Sequence, residues 1–209
     1  MSQNLYADQT VFTRFAETAG RTPDHPFLRV LDGPATAWHC LPGDISYGAM
    51  LLMVTARRGI LEKGGLLTGM RVGLCLFNGP DFFVNWLALN ALGVSIVPIN
   101  PDLKRRGVSY IVAHSEMRLM IAVAYAPPLL TEVCAACNVP VISPDAHCSQ
   151  PLDLGEMVAR EDGSESRCES ALLYTSGTTG RPKGCLLDQA YFLNAGDWYA
   201  GLPKPYNLR

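Results

Sequence analysis

The amino-acid sequence predicts an α/β fold in which a parallel sheet carries helices on both faces. The main evidence is that short apolar runs alternate with longer helical segments between residues 72 and 143. Continuous apolar runs are typical of strands buried on both faces, and strands that alternate with helices pair in parallel. With 209 residues, of which 48% are hydrophobic and 17% charged, the chain can bury one sizeable core.

The N-terminal third of the sequence is predicted to contain two helices and two strands. Apolar residues recur at helical spacing in the first helix, and a Gly33-Pro34 turn is expected between the two strands. Ser46 is suited to cap the second helix because its hydroxyl can accept a hydrogen bond from a free N–H of the first turn. The predicted ranges are 10–21 for the first helix, 27–31 and 38–41 for the strands, and 46–61 for the second helix.

From residue 72 onward, strands and helices are predicted to alternate. Asn78 is expected to cap the first helix of this series and Gly93 to end it, and Asp188 is expected to cap the last helix. Residues 150–170 are polar and acidic and are predicted to form a loop that carries a short helix. The predicted strands cover 72–77, 94–99, 119–124, 139–143, 171–175 and 184–187, and the remaining helices cover 104–115, 128–137 and 189–199.

The segment 173–184, Leu-Tyr-Thr-Ser-Gly-Thr-Thr-Gly-Arg-Pro-Lys-Gly, carries the strongest functional signal. Glycines let the backbone approach a ligand closely, and successive backbone N–H groups can form a concave anion site. Ser176, Thr178 and Thr179 add hydroxyl donors, and Lys183 adds a mobile positive charge. The segment is neither a Walker A sequence nor a dinucleotide-binding fingerprint, because the spacing of its glycines and lysine differs. Its composition predicts a polyphosphate-binding loop.

The loop resembles the phosphate-binding loop of the adenylate-forming superfamily, which contains acyl-CoA synthetases, adenylation domains of peptide synthetases and luciferases. The resemblance implies the N-terminal portion of the large domain of such an enzyme, in truncated form. Residues 1–169 are then expected to form its N-terminal α/β subdomain, and residues 170–209 to begin the next subdomain, which is incomplete. The segments that carry the resemblance are Tyr174–Gly184, Asp44–Met50, Gly69–Val84 and Ala91–Pro101.

The resemblance implies a reaction in two steps with ATP, Mg²⁺ and coenzyme A. A carboxylic acid attacks the α-phosphate of ATP and forms an acyl-adenylate and pyrophosphate, and a thiol, usually that of coenzyme A, then displaces AMP. In this scheme Lys183 neutralises the charge that builds on the leaving pyrophosphate. The residues implied to bind the phosphates are Thr175, Ser176, Gly177, Thr178, Thr179, Gly180 and Lys183.

No catalytic residue or metal ligand is expected within these 209 residues. Superfamily members are more than twice as long, and their acidic Tyr-Gly-x-Thr-Glu segment, ribose-binding Thr-Gly-Asp motif and C-terminal catalytic lysine have no counterpart here. The chain is therefore expected to be an N-terminal ligase fragment that is inactive alone. Truncation is also expected to expose apolar surface near Leu186, Phe192 and Trp198, or to cover it with a second copy.

Two alternatives to an acid–CoA ligase stay open. The chain could belong to an adenylation domain that loads a carrier protein, or it could be a non-catalytic remnant that binds nucleotide or polyphosphate. Within the ligases, Lys183–Leu187 and Asn194–Tyr199 resemble the crotonobetaine/carnitine–CoA ligase group most, which implies acyl-CoA and fatty acid metabolism without fixing the acid. The superfamily often carries histidine at the position of Gln189.

Charge and cysteine content predict a cytoplasmic protein. The net charge of −2 favours neither nucleic acid nor an anionic membrane as a partner. The first twenty residues lack the apolar core of a signal peptide, and the apolar stretch 82–99 is too often interrupted by polar residues and Pro98 for a membrane span. Seven irregularly spaced cysteines are typical of reduced thiols, and Cys134 and Cys137 are expected to be ordinary helix residues rather than a redox or zinc pair.

Aromatic residues provide the last candidate site, an acyl pocket. Their helical spacing favours packing into the core over lining such a pocket. The residues in question are Trp86, Tyr191, Phe192, Trp198 and Tyr199.

Overall fold

Three helices and a two-stranded antiparallel ribbon form the N-terminal third of the fold. The structure is a computed structural model that describes Tyr6 and residues 9–124, 126–155, 168–175 and 182–202. Strand β1 bends where its pairing with β2 shifts register between Pro26 and Leu28. The elements are α1 (Val11–Arg21), β1 (Pro26–Val30), α2 (Asp32–Trp38), β2 (Gly43–Ser46) and α3 (Tyr47–Lys63).

Helix α2 replaces the turn and second strand that were predicted for this region. The prediction of a strand over 38–41 is wrong, and the ribbon partner lies later, in β2. Pro34 stands in the first turn of α2, where a missing backbone N–H removes no intrahelical hydrogen bond, so proline there is compatible with a helix. His39 then ends the helix in the left-handed conformation, with φ 55°.

A six-stranded mixed sheet with helices on both faces fills the rest of the fold. Its strand order is β6-β5-β3-β4-β7-β8, in which β8 is antiparallel and all other neighbours are parallel. The elements in chain order are β3 (Arg71–Cys75), α4 (Pro80–Ala91), β4 (Ser95–Pro98), α5 (Arg105–Ser115), β5 (Leu119–Ala122), α6 (Pro128–Ala136), β6 (Val141–Ile142), β7 (Glu169–Thr175), β8 (Lys183–Asp188) and α7 (Gln189–Ala200).

The α/β fold predicted from the sequence is confirmed, with one strand reversed. Residues 176–182 are too few to carry the chain back across the sheet, so β8 returns beside β7 as a hairpin. Each buried apolar run from residue 72 onward forms a strand, although β6 covers only two of the five residues predicted for it. The proposed subdomain boundary between residues 169 and 170 falls inside β7 and stays a prediction.

Two apolar cores lie on opposite faces of the sheet. Successive side chains of a strand point to opposite faces, so Ile96 and Val97 of β4 enter different cores. Met120 and Ile121 of β5 divide in the same way. One core packs the sheet against α1, α3 and α4, and the other packs it against α5 and α6.

Two of the three predicted helix caps are confirmed. Ser46 Oγ accepts a hydrogen bond from the N–H of Ala49 (3.2 Å), and Asp188 Oδ1 accepts one from the N–H of Tyr191 (2.8 Å). The prediction for Asn78 is wrong, because α4 begins one residue later, after Gly79. Pro80 then occupies the first helical position, where its fixed φ suits the helix.

Buried amides of α4 and α7 satisfy the free N–H groups at the start of α1. Gln189 Oε1 accepts from the N–H of Val11 and Asn90 Oδ1 from that of Phe12, both at 2.9 Å. The Asn90 amide in turn donates to Gln189 Oε1 (3.1 Å) and to Ser170 Oγ (3.1 Å). These bonds join the helix that follows the phosphate loop to the N-terminal helix.

Replacing Gln189 with leucine is expected to lower the free energy of unfolding by about 1–3 kcal/mol. The side chain is 1% exposed, so its loss removes the described acceptor of the Val11 N–H at a buried position. Urea unfolding followed by circular dichroism measures the change. The control is leucine at Asn194, which is exposed on the same helix and should leave stability nearly unchanged. Equal stability of both variants and the unmodified chain would refute the capping role.

Candidate functional site

The β7–β8 hairpin presents the ends of the predicted phosphate loop. Thr175 ends β7, Lys183 begins β8, and the two are paired across the hairpin. Both residues are exposed, so a hydroxyl and an ammonium group stand together at the mouth of the loop. Ser176, Gly177, Thr178, Thr179 and Gly180 lie outside the described residues, and their role in phosphate binding stays a prediction.

The loop leaves the sheet at the edge where the parallel strands end. Strand β7 runs parallel to its neighbour β4, so the loop after Thr175 lies at the same edge as the loops after β3 and β4. The chain crosses from β3 to β4 in one direction and from β4 to β5 in the other, which is the position where open α/β sheets bind ligands. A crevice of about 440 Å³ opens there, lined among others by Trp38, Asn78 and Asn100.

A largely but not fully buried ion pair fixes the start of β7. The Arg71 guanidinium donates to both oxygens of Glu169 at 2.7 Å and to the carbonyl of Ser115 at 3.0 Å. Ser95 Oγ donates to the same carboxylate at 2.7 Å. The hydrogen bond to Glu169 raises the pKa of Arg71 above its ordinary value, so the guanidinium stays charged. The network joins the first residues of β3, β4 and β7, and thereby positions the strand that leads into the loop.

Tyr174 fixes the other end of β7 against α5. Its hydroxyl lies 2.7 Å from His114 Nδ1, and its ring makes an edge contact with Tyr110 at 6.3 Å between centroids. Burial raises the pKa of Tyr174 to about 12, so the phenol is neutral near pH 7. Tyr174 immediately precedes Thr175, and its contacts therefore hold the base of the loop.

The contacts at both ends of β7 were missed by the sequence analysis. Arg71 and Glu169 each open a strand whose other residues are mostly apolar. Two opposite charges at the starts of such strands are the signal that could have indicated the ion pair. His114 carries no comparable signal, because its partner Tyr174 lies 60 residues away in sequence.

The cysteines form no metal centre in the part of the chain that the structure describes, where no group of three His, Cys, Asp or Glu side chains comes together. Cys134 is buried and Cys137 is exposed, and both thiols are free. Burial raises the pKa of Cys134 to about 11 and has the same effect on Cys75. Cys134 lies within α6, and Cys137 is the residue that ends it.

The exposed and the buried cysteines are expected to differ in their rates of thiol alkylation. At pH 8 iodoacetamide should label Cys137 and Cys185, which are exposed, at least about 100-fold faster than Cys75 and Cys134, whose thiolates are suppressed by burial. Mass spectrometry of peptides from the native protein measures the labelling rates. Labelling in denaturant is the control and should remove the difference. Fast modification of Cys134 in the native protein would contradict the structure.

The aromatic residues considered for an acyl pocket divide into two groups. Trp86 and Phe192 pack together with ring centroids 5.4 Å apart, as the core interpretation expects. That interpretation is wrong for Tyr191, Trp198 and Tyr199, which are 53%, 62% and 47% exposed.

The expected exposure of apolar surface near the end of the chain is confirmed for two of its three residues. Leu186 and Trp198 are each 62% exposed. Phe192 is partly buried by its contact with Trp86.

A family model described as AMP-binding enzyme matches residues 15–205, which is most of the chain. The chain belongs to the AMP-binding enzyme family. None of the helices within the described ranges is long and apolar enough to cross a membrane.

Curated members of the AMP-binding family include CoA ligases that are similar to this chain. A crotonobetaine/carnitine–CoA ligase of Citrobacter koseri is 30% identical over 168 residues, which are 74% of this chain and 32% of the relative. A sulfoacetate–CoA ligase of Cupriavidus necator is 30% identical over 190 residues, which are 86% of this chain and 35% of the relative. The chain thus spans about a third of the length of these relatives.

Solved structures confirm the fold. The complex of VinN with 3-methylaspartate superposes with a TM-score of 0.71 at 22% identity, over 94% of this chain and 52% of that one. The fatty acyl CoA synthetase of Mycobacterium tuberculosis gives a TM-score of 0.71 at 22% identity, over 93% of this chain and 38% of the synthetase. The chain therefore has the fold of the N-terminal part of these proteins.

Proposed function

We propose that this chain is the N-terminal part of an AMP-forming acid–CoA ligase and supplies the phosphate-binding loop of its active site. The observation that carries the proposal is the position of Thr175 and Lys183 at the ends of that loop, on the ligand-binding edge of the sheet. The reaction joins a carboxylic acid to ATP with release of pyrophosphate, and then transfers the acyl group from AMP to the thiol of coenzyme A.

The described residues suit a polyphosphate better than they suit a metal ion. Lys183 can balance the negative charge of the β- and γ-phosphates, and the exposed Thr175 hydroxyl can donate a hydrogen bond to one of their oxygens. Mg²⁺ is usually held by one or two carboxylates together with the phosphates of the nucleotide, and no group of three or more His, Cys, Asp or Glu side chains comes together across the described ranges. The loop residues Ser176 to Gly180 complete the phosphate site in this proposal, and Mg²⁺ is held by other parts of the ligase.

Coenzyme A is the proposed acceptor, since similar curated proteins are named as CoA ligases. Transfer to a carrier protein is the second candidate. The observation that favours this candidate is a similarity to tyrocidine synthase 2 of Brevibacillus parabrevis. The two are 29% identical over 142 residues, which are 64% of this chain and 4% of the synthase. The product of the second step distinguishes the two candidates. An acyl-CoA supports coenzyme A as the acceptor, and acylation of a carrier-protein thiol supports the carrier protein. We place the ligase in the cytoplasm, in agreement with seven free thiols.

The 209-residue chain alone is expected to show no ATP–pyrophosphate exchange with any member of a panel of carboxylic acids. The chain covers only 32% and 35% of the two curated CoA ligases, so about two thirds of each relative has no counterpart in the matched segment. Robust exchange by the isolated chain would show that it is a complete adenylating enzyme. Binding of ATP or pyrophosphate that Lys183→Ala abolishes, without exchange in any longer form, would favour a non-catalytic phosphate-binding remnant.

A covalent chimera tests the activity itself. Residues 1–202 of this chain are fused to the part of the Citrobacter koseri ligase that follows the position aligned with the end of α7. Under the proposed function this chimera exchanges pyrophosphate into ATP when the acid of the parent ligase is present. The parent ligase is the positive control.

A further inference from the structure

The side chain of Tyr174 bridges three elements at the base of the phosphate loop. Tyr174 belongs to β7, its hydroxyl lies 2.7 Å from His114 Nδ1 on α5, and its ring meets the imidazole edge-on with centroids 5.7 Å apart. The ring also lies close to Gly184 of β8, where an added Cβ would be 3.6 Å from the ring atoms Cε1 and Cζ. Tyr174 therefore connects both strands of the hairpin to a helix.

Packing explains why residue 184 is a glycine. The φ of Gly184 lies outside the left-handed region, so its backbone conformation does not require glycine. A Cβ at this position would stand 3.0 Å from Leu172 Cδ1 as well as against the Tyr174 ring. Because Gly184 is paired with Tyr174 across the hairpin, its missing side chain leaves room for that ring.

A second tyrosine holds His114 in place. Tyr110 lies one turn earlier on α5, and its ring stacks on the imidazole with centroids 5.0 Å apart and 30° between the planes. The same ring makes the edge contact with Tyr174 described above. Each of the three rings thus contacts the other two, and such aromatic pairs add to the stabilisation that burial alone gives. We call Tyr110, His114 and Tyr174 the α5 clamp.

The α5 clamp lies next to the residue pair that presents the loop. Thr175 and Lys183 form the last pair of the hairpin, directly after Tyr174 and Gly184. Strand β7 pairs with its other neighbour, β4, at Ala171, which is four residues before Thr175. Side-chain contacts beyond Ala171 therefore help to fix the end of the hairpin.

His114 lies away from the loop itself. Helix α5 carries the chain from the end of β4 to the start of β5, so its last turn lies at the edge of the sheet opposite the loop. His114 stands in that turn, next to Ser115, whose carbonyl accepts from Arg71 at the start of β3. His114 therefore acts on the loop through Tyr174 and not on a bound phosphate.

We propose that His114 is a positioning residue for the phosphate site: through Tyr174 it holds the hairpin end that carries Thr175 and Lys183. Its effect on ATP affinity rests on the proposed function. Loss of one hydrogen bond of this kind changes an equilibrium by roughly 2- to 10-fold. Without the bond the hairpin end separates from α5 more often, and Lys183 is held less firmly where it meets the phosphates.

Amide hydrogen exchange of the 209-residue chain tests the α5 clamp without any activity. In His114→Ala, peptides from β7 and β8 should exchange roughly 2- to 10-fold faster, whereas peptides from β3 and β5 should exchange as in the unmodified chain. Tyr174→Phe keeps the ring, removes the hydroxyl and should accelerate the same peptides. The control is His25→Ala, because His25 is also exposed and lies before β1.

Two further variants separate loss of the hydrogen bond from other effects. The double variant His114→Ala/Tyr174→Phe should exchange little faster than His114→Ala, because each change removes the same bond. His114→Asn keeps a hydrogen-bonding group near the position of Nδ1 and should recover part of the protection. Additive effects of the two single changes would show that His114 and Tyr174 act independently and would overturn the proposal.

The covalent chimera tests the consequence for phosphate binding. His114→Ala should raise the KM for ATP and for pyrophosphate by roughly 2- to 10-fold and leave the KM for the carboxylic acid nearly unchanged. A general loss of folded protein would lower the rate and would not produce this split between substrates. His25→Ala should change none of these constants.

Three results would contradict the positioning role of His114. Peptides from β7 and β8 could exchange at unchanged rates in His114→Ala, peptides from β3 and β5 could accelerate equally, or an active chimera could keep its KM for ATP. The exchange experiment decides whether His114 holds the hairpin end whatever the chain catalyses. A chimera without activity would therefore refute the proposed function, while faster exchange confined to β7 and β8 would still establish the α5 clamp.

Discussion

Replacement of Arg71 by methionine is expected to lower the free energy of unfolding by about 3–5 kcal/mol. Arg71 and Glu169 have side chains that are 11% and 19% exposed, so the ion pair is largely shielded from water. Methionine fills the space of the arginine stem but removes two of the three hydrogen bonds described above for the Glu169 carboxylate. The carboxylate then keeps Ser95 as its described donor but loses its counterion in a site that is largely shielded from water, and such a loss is costly.

A second arginine–carboxylate pair provides a matched control. Arg29 and Asp44 make the same two-bond contact at 2.6 Å, but their side chains are 67% and 44% exposed. Water and salt screen such a pair, so Arg29→Met should change stability little. Urea unfolding measures the free energy of unfolding of both variants. A double-mutant cycle that combines Arg71→Met with Glu169→Gln gives the interaction energy between Arg71 and Glu169. Similar losses from Arg71→Met and Arg29→Met would mean that burial of the pair is not what stabilises β7.

Lys183→Ala is expected to lower ATP–pyrophosphate exchange by the covalent chimera at least about 100-fold. Removal of one group that stabilises developing charge in a transition state has an effect of about this size. Lys183 is exposed and has no ion pair among those that the structure describes, so the fold should tolerate the change with less than about 0.5 kcal/mol lost. The loss of activity should therefore be separable from any loss of structure.

The exchange rate and the melting temperature of the same preparation measure both effects. Lys63→Ala is the control, because Lys63 is also exposed and ends α3 far along the chain from the loop. Lys183→Arg should recover part of the activity, since it keeps the charge but changes the shape of the donor. If Lys183→Ala and Lys63→Ala exchange pyrophosphate equally fast, Lys183 has no role in phosphate binding.

Local patterns were sufficient to predict most of the fold. The apolar runs that became β3, β4 and β5 are buried on both faces, and this burial leaves a simple pattern in the sequence. The Asp188 cap was also predictable from a local pattern, because the donor and the acceptor of its hydrogen bond lie only three residues apart in the sequence. The predicted turn at Gly33-Pro34 was wrong because proline is compatible both with a turn and with the first turn of a helix.

Features that depend on distant contacts could not be predicted. Glu169 and Arg71 are 98 residues apart, and Gln189 and Val11 are 178 residues apart, so neither contact leaves a local pattern. The role of Gln189, at a position where the superfamily often carries histidine, became visible only in the fold: its side chain accepts a hydrogen bond from the N–H of Val11 at the start of α1. The phosphate loop was recognised from its composition, whereas the contacts that hold its base in place required the sheet.

Pyrophosphate exchange by the covalent chimera decides whether this chain supplies a working phosphate-binding loop. We expect exchange that depends on the acid of the parent ligase, that is absent from the 209-residue chain, and that Lys183→Ala nearly abolishes. A folded chimera without exchange, or one whose exchange survives Lys183→Ala, would contradict the claim that this chain supplies the phosphate-binding part of an acid–CoA ligase.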